Sequence, residues 1–243
     1  MKPHHLEVLY EDNHLLAVLK PAGLATMGLS GDKPTLLAAA KQYVKDRYQK
    51  PGNVYLGVVS RLDVPVTGVV LFARTSKAAR RLTEQFRTRS VQKVYWALVE
   101  GPVEPASGEW VHWICHHDRH RRMHVVGPTQ PGAKEARLAY RRLAIRDEIS
   151  WLEVELETGR KHQIRVQAAE RGHPILGDRK YGSRRPFPAG IALHARRLVI
   201  NHPVRNEPVI LEGPLPDAWR ALGVDRWGTR SPHLGADGGR TLT

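Results

Sequence analysis

Apolar positions along the chain fall into short runs whose spacing separates strand from helix. Residues 14–19 (His-Leu-Leu-Ala-Val-Leu) are almost continuously apolar and end in Lys20-Pro21-Ala22-Gly23, a buried strand closed by a turn signal. Over residues 35–48, Leu36, Leu37, Ala40 and Val44 recur at helical spacing. Residues 69–73 read as a second buried strand. A helix follows over 76–87, with Ala79, Leu82 and Phe86 on one face and Arg80 and Arg81 off it. Residues 93–99 have the β-branched and aromatic content of a further strand. Leu152, Val154 and Leu156 alternate with acids, as in a half-buried strand. A short helix is expected over 161–171, stopped by Gly172 and Pro174. Leu198-Val199-Ile200 is strand-like and leads into a Pro-rich close. The stretch 108–134, rich in His, Arg, Gly and Pro, reads as a long loop or hairpin rather than a domain boundary. Strands and helices mix without strict alternation or internal repeat. The pattern predicts an α+β fold with a mixed, largely antiparallel sheet flanked by helices and loops. Residues 1–225 are expected to form one domain, and the apolar-poor tail 226–243 to be disordered.

Charge narrows the partners. The 243 residues hold 38 Lys and Arg against 24 Asp and Glu, a formal net charge of +14. Such an excess points to a polyanion, nucleic acid before membrane, with a basic but inert surface as the bland alternative. No apolar run approaches the ~20 residues of a membrane-spanning helix. The first residues, Met1 to Leu6, lack the apolar stretch of a signal peptide. A single cysteine, Cys115, excludes an intramolecular disulfide and fits a reducing, cytoplasmic setting.

Candidate chemistry sits in three clusters. In Ser60-Arg61-Leu62-Asp63-Val64-Pro65-Val66-Thr67-Gly68, a carboxylate flanked by a cation stands on a turn entering a buried strand. Carboxylates attack sugar carbons that carry a leaving group, although an Asp in a turn commonly just binds turn amides. In Glu157-Thr158-Gly159-Arg160-Lys161-His162-Gln163-Ile164-Arg165, three cations and a His gather at a helix start, where a phosphate or a carboxylate is favoured, or where a solvated basic face lies. Tyr95, within Lys93-Val94-Tyr95-Trp96, either stacks on a base or belongs to the core. His112, His116, His117, His120 and His124 with Cys115 invite a metal reading, but the spacing lacks paired ligands and only one thiol is present. An RNA-facing loop, with Arg119, Arg121 and Arg122 meeting phosphates, is the stronger reading, and no metal is expected.

Taken in order, these segments resemble the RluA-like pseudouridine synthases from about Glu7 to Leu215. The match runs through Lys20-Pro21-Ala22-Gly23-Leu24, Arg61-Leu62-Asp63 and Lys93-Val94-Tyr95-Trp96-Ala97-Leu98-Val99. It continues through Thr158-Gly159-Arg160-Lys161-His162-Gln163-Ile164-Arg165, His173-Pro174-Ile175-Leu176-Gly177-Asp178 with Tyr181-Gly182, Leu193-His194-Ala195 and His202-Pro203. The resemblance implies a catalytic domain of that fold, acting as a monomer on uridines of ribosomal or transfer RNA. Many relatives also carry an S4-type RNA-binding domain, and here a stand-alone catalytic domain is expected instead, since the match begins within the first ten residues. It implies Asp63 as the catalytic carboxylate, working at the sugar C1′ as a nucleophile or through a glycal. Tyr95 is implied as the residue stacking on uracil and assisting deprotonation, and Arg165 as the partner of the carboxylate. Ile164 lines the pocket, Arg61 serves base extrusion and phosphate contact, and Lys20 and Pro21 lie near the pocket. Arg160, His162 and Gln163 belong to the same substrate-binding set. The isomerisation needs no net redox change, so the resemblance implies no cofactor. The target uridine is expected to be flipped from a loop or junction, where unstacking costs least. One departure is Val66-Thr67-Gly68, where many relatives carry Thr-Ser-Gly; altered packing is expected there. The rival readings are an RNA-binding assembly factor without catalysis, and a glycosidase or nucleosidase, which would need a second carboxylate.

Overall fold

The computed structural model describes residues 6–28, 34–117 and 122–227. Its frame is an eleven-stranded sheet. The strands are β1 (Val8–Glu11), β2 (Leu15–Lys20), β3 (Gly57–Val58), β4 (Thr67–Ala73), β5 (Gln92–Glu100), β6 (Ser107–His117), β7 (Arg122–Val126), β8 (Lys134–Arg146), β9 (Ile149–Leu156), β10 (Leu193–Asn201) and β11 (Pro208–Glu212). Their order is β1-β2-β4-β10-β5-β9-β8-β6-β7, with β3 beside β4 and β11 beside β10. Only β10 and β4 run parallel, through the pairs His194 with Thr67 and Ala195 with Gly68. The expected α+β fold with a mixed, largely antiparallel sheet is therefore present.

The long apolar runs of β2 and β4 exist because both faces of this part of the sheet are covered. Leu16, Val18, Val70 and Phe72 pack against Leu36, Ala40 and Val44 of α1 (Leu36–Arg47). Leu15, Ala17, Val69 and Leu71 face the other way, onto Ala78 and Leu82 of α2 (Ser76–Arg87). Each helix begins where a threonine side chain accepts an orphan amide: Thr35 from Ala38, and Thr75 from Ala78. A larger core joins β5, β8 and β9 to α3 (Gln163–Glu170), with Trp219 of the short α4 (Asp217–Arg220) closing its far side.

Of the loop or hairpin expected over 108–134, the hairpin is present: β6 and β7 pair antiparallel from Trp113–Val126 to His117–Arg122, on an eight-residue pairing with β8. Arg119, His120 and Arg121, expected to face RNA phosphates or a metal, lie outside the described residues. The Pro-rich close hides β11, which pairs with β10 from Arg197–Glu212 to Asn201–Pro208. Of the tail 226–243, Arg226 ends a 3-10 turn and Trp227 packs on the main core, so neither is free chain. Residues 228–243 lie outside the described part.

Candidate active site

The turn between β3 and β4 carries Asp63, and its backbone is pinned at every carbonyl from 62 to 65. Thr26 Oγ1 donates to Leu62 O at 3.0 Å and accepts the Leu62 amide at 3.2 Å. Asp63 O takes the Val66 amide at 3.1 Å, Val64 O the Gly23 amide at 2.9 Å, and Pro65 O the Ile191 amide at 3.2 Å. Lys20 adds its ammonium to Val64 O at 3.0 Å, and also donates to Pro21 O at 2.9 Å and Leu24 O at 2.7 Å. Burial lowers Lys20 to about 8, with Asp63 pulling the other way. Lys20 is thus no substrate contact: its three donors are spent on carbonyls, and it fixes the turn that presents Asp63.

Asp63 Oδ2 accepts a 2.9 Å bond from Arg165 Nη1, which α3 delivers from across the site. The remaining donors of Arg165 are held by a residue that sequence reasoning left without a role. Asp178, 2% exposed, takes Nε at 2.6 Å and Nη2 at 2.9 Å. Burial opposes the charge on Arg165, but Asp178 and then Asp63 outweigh it and hold the guanidinium protonated. The guanidinium also lies 5.0 Å from the centre of the Tyr181 ring. This fixed fork turns Nη1 toward Asp63, and among the described residues Asp63 Oδ1 makes no hydrogen bond. A carboxylate held by one oxygen keeps the other for chemistry.

Tyr95, Val66, Leu156, Ile164 and Leu193 make the apolar walls of a pit of about 80 Å³ with Asp63 at its side. That volume exceeds the roughly 10–15 Å³ of one water several-fold and suits a small planar ring. Burial, and then the Asp63 carboxylate, push the Tyr95 phenol up. Tyr95 is therefore a neutral ring and hydroxyl at ordinary pH, which works against the expectation that it serves as a base. His162 precedes α3 in a left-handed conformation (φ 55°), with Nε2 3.6 Å from Asp63 Oδ2. Burial lowers it to about 4, against the pull of Asp63, so the contact is not an ion pair at neutral pH. Gln163, 3% exposed, accepts from Thr158 Oγ1 at 2.7 Å and Arg160 N at 3.0 Å, shaping the turn before α3.

The pit opens into a cleft of about 1120 Å³. Nine Lys or Arg line it against two acids, Asp63 and Glu157. Arg61 lies exposed at its edge. Arg160 is steadied by an Nε bond to Glu135 O at 2.9 Å. Lys93 shows the crowding of positive charge: burial lowers it first, then Arg89 and Arg160. A positive cleft ending in a small apolar pit suits a nucleic-acid strand that inserts one base. Among the described residues, no group of His, Cys, Asp and Glu is placed to hold a metal ion.

Of the residues expected at the site, Asp63, Tyr95, Arg165, Arg61, Ile164, Arg160, His162 and Gln163 all line the pit. Asp178 and Tyr181 stood within a quoted motif, but nothing local in the sequence ties an Asp to an Arg 13 residues earlier.

Comparison with known proteins agrees with this geometry. Residues 14–170 match the RNA pseudouridylate synthase family. An RNA pseudouridine synthase of Synechocystis is 35% identical over 223 residues, covering 90% of this chain and 68% of that protein. Ribosomal large subunit pseudouridine synthase D of Nitrosomonas europaea is 38% identical over 228 residues, covering 89% of this chain and 64% of the relative. The chain thus spans about two thirds of these relatives' length. Among solved structures, human RNA pseudouridylate synthase domain containing 4 superposes with a TM-score of 0.74 at 25% identity, over 89% of this chain and 93% of that one. With the fold shared and the match running through both the Asp63 turn and the Arg165 helix, the chain belongs to the RNA pseudouridylate synthase family of isomerases.

Proposed function

We propose that this chain isomerises uridines of structured RNA, ribosomal RNA foremost, with Asp63 acting at the sugar. The carrying observation is the carboxylate itself: one oxygen is bound to a guanidinium that Asp178 locks, the other makes no hydrogen bond among the described residues, and the side chain lines a base-sized pit below a basic cleft. Cations such as Arg160 and Lys161 hold phosphates along the cleft, and the target base turns out of its stack into the pit. Tyr95 and Ile164 pack against the ring. Asp63 then acts at C1′, by direct attack or through a glycal, and the N1–C1′ bond breaks with its electron pair staying on the uracil. The uracil turns within the pit and C5 bonds to C1′, releasing the carboxylate. The C5 proton leaves last and N1 gains one, so the product is an isomer and nothing is consumed. With Tyr95 kept neutral, that proton falls to water or to the freed Asp63 carboxylate.

The ribosomal preference rests on the relatives named as large-subunit ribosomal RNA enzymes, with transfer RNA as the competing substrate. Tritium release from RNA labelled as [5-³H]uridine, measured on separate ribosomal and transfer RNA pools, tests both points. Wild type is expected to release tritium from the ribosomal pool, and Asp63→Asn from neither. Release confined to transfer RNA would reassign the substrate. RNA binding without release would mark the chain as a non-catalytic RNA-binding factor.

A further inference from the structure

Tyr181, at the end of the 3-10 turn Arg179–Tyr181, touches the site from behind. Its hydroxyl accepts the Met123 amide of β7 at 3.1 Å, a buried bond. The same hydroxyl stands 2.8 Å from His162 Nδ1. Its ring lies under the Arg165 guanidinium, 5.0 Å from centre to Cζ. One side chain therefore meets both residues that approach Asp63 from α3 and its leading turn, and the backbone of the β6–β7 hairpin as well.

Counting donors and acceptors settles the protons. Tyr181 is buried, and burial raises its phenol, so the hydroxyl keeps its hydrogen. The Met123 amide can only donate, which makes the phenol oxygen an acceptor there. The hydroxyl hydrogen then needs an acceptor, and among the described residues His162 Nδ1 is the one within reach. A His162 that donated from Nδ1 would strand that buried hydrogen, at a cost of about 1–3 kcal/mol. His162 is neutral, since burial lowers it to about 4. A neutral imidazole bare at Nδ1 carries its proton on Nε2, the nitrogen 3.6 Å from Asp63 Oδ2. The opposite tautomer would set a lone pair against the carboxylate, so both ends of the ring favour the same form.

We infer that Tyr181 is a positioning residue that fixes His162 as the Nε2–H tautomer, aimed at Asp63, and that the Met123 amide of the hairpin in turn fixes Tyr181. The inference rests on the reading of Asp63 as the group that acts at the sugar. At 3.6 Å the His162–Asp63 contact is longer than a hydrogen bond, and such contacts shorten once substrate fills a site. His162 Nε2–H and Arg165 Nη1–H then hold the same oxygen, Oδ2, and Oδ1 stays directed at the sugar. The β6–β7 hairpin thereby sets the proton arrangement at the nucleophile through two hydrogen bonds.

The direct test is ¹⁵N NMR on histidine-labelled full-length protein near pH 7, with His162→Gln used to assign the ring. The expected spectrum shows Nδ1 unprotonated and Nε2 protonated in wild type. An Nδ1-protonated or charged His162 would overturn the inference without any need for a variant. In Tyr181→Phe the Nδ1 resonance should move toward that of a nitrogen without a donor. Its kcat for tritium release should fall about tenfold while the KM for RNA changes less than about twofold, since the lost contact orients the nucleophile rather than binding RNA. A variant with a lower Tm but unchanged kcat below it would reduce Tyr181 to a structural support and overturn the role. Should wild type release no tritium at all, the Asp63 reading fails while the tautomer assignment stands or falls on the spectrum alone.

Discussion

Asp178 makes the clearest case at the scale of single residues. A guanidinium shared between a buried and a half-exposed carboxylate is held in place by the buried one, because Asp178 supplies two of its three hydrogen bonds. Asp178→Ala would leave Arg165 Nε and Nη2 without acceptors inside the protein. It should cost about 3–5 kcal/mol in urea unfolding, as broken buried pairs do. Asp178→Asn keeps the shape but frees the guanidinium to turn both arms onto Asp63. Its kcat should fall about 10²-fold through misplacement alone, with RNA binding retained. If Asp178→Asn turned over like wild type, the fork would have no catalytic consequence. Histidine protonation supplies a second expectation at this scale. Burial lowers both His162 and His194 to about 4 from an ordinary 6.5. Between pH 6.5 and 4 the unfolded chain binds protons that the folded chain refuses, so unfolding free energy falls as pH falls through that window, by up to about 3 kcal/mol for each ring. Above 6.5 these rings contribute no slope. Urea midpoints at pH 7 and 4.5 should show a drop that shrinks in His194→Gln. Residue by residue, the sequence revealed groups that match a known motif, such as Asp63 and Arg165. It concealed those whose role is only a distant partner: Asp178, Tyr181, and Lys20 beneath the Asp63 turn.

Among the elements, the crossing of β4 and β10 is the one a single atom would break. Gly68 sits at φ 123°, and a Cβ there would stand 2.5 Å from the Ala195 nitrogen and 2.8 Å from its carbonyl carbon. Backbone cannot move aside as a flexible side chain can, and a left-handed φ penalises any L side chain. Gly68→Ala should destabilise by about 4 kcal/mol or more, a large part of the ~5–15 kcal/mol that holds a domain together. Thermal unfolding would show it, and an Ala variant with wild-type Tm would mean that the parallel pairing is dispensable. The expected change of packing at Thr67 has a concrete form here: its hydroxyl lies 2.8 Å from His194 Nδ1, across the same crossing. Elements with one strong period were legible. The helix read over 76–87 is α2 to the residue, and Leu152, Val154 and Leu156 lie in β9. Strand β8 was not read, although Ala136, Leu138 and Tyr140 alternate inward, because Arg137, Arg141 and Arg142 make the segment look like charged surface. Those arginines are paired instead, Arg141 with Glu153 at 2.7 Å and Arg137 with Glu135 at 3.0 Å. The parallel neighbour of β4 was equally invisible, since 127 residues separate the partners in each pair that forms it.

For the molecule as a whole, the question is whether +14 acts as a diffuse charge or as a site. The cleft answers in favour of a site: nine Lys or Arg face two acids around one opening, while elsewhere arginines are spent on ion pairs such as Arg74 with Glu11 and Arg141 with Glu153. Cations that meet phosphates release counterions, so log K for RNA should fall linearly with log salt. For a single-stranded segment the slope is about −0.7 per phosphate neutralised. Five or six cleft contacts would give a slope of roughly −3.5 to −4.2. Lys161→Gln, which removes an exposed cation of the cleft, should weaken binding and shrink the slope by about 0.7. Lys41→Gln removes the same formal charge from the exposed side of α1, which does not line the cleft, and should leave the slope unchanged. The two variants have identical net charge, so equal slopes for both would mean that RNA senses the charge of the whole surface. Unequal slopes would locate the polyanion along the wall that leads to Asp63, which is where a base must arrive for the carboxylate to reach its sugar.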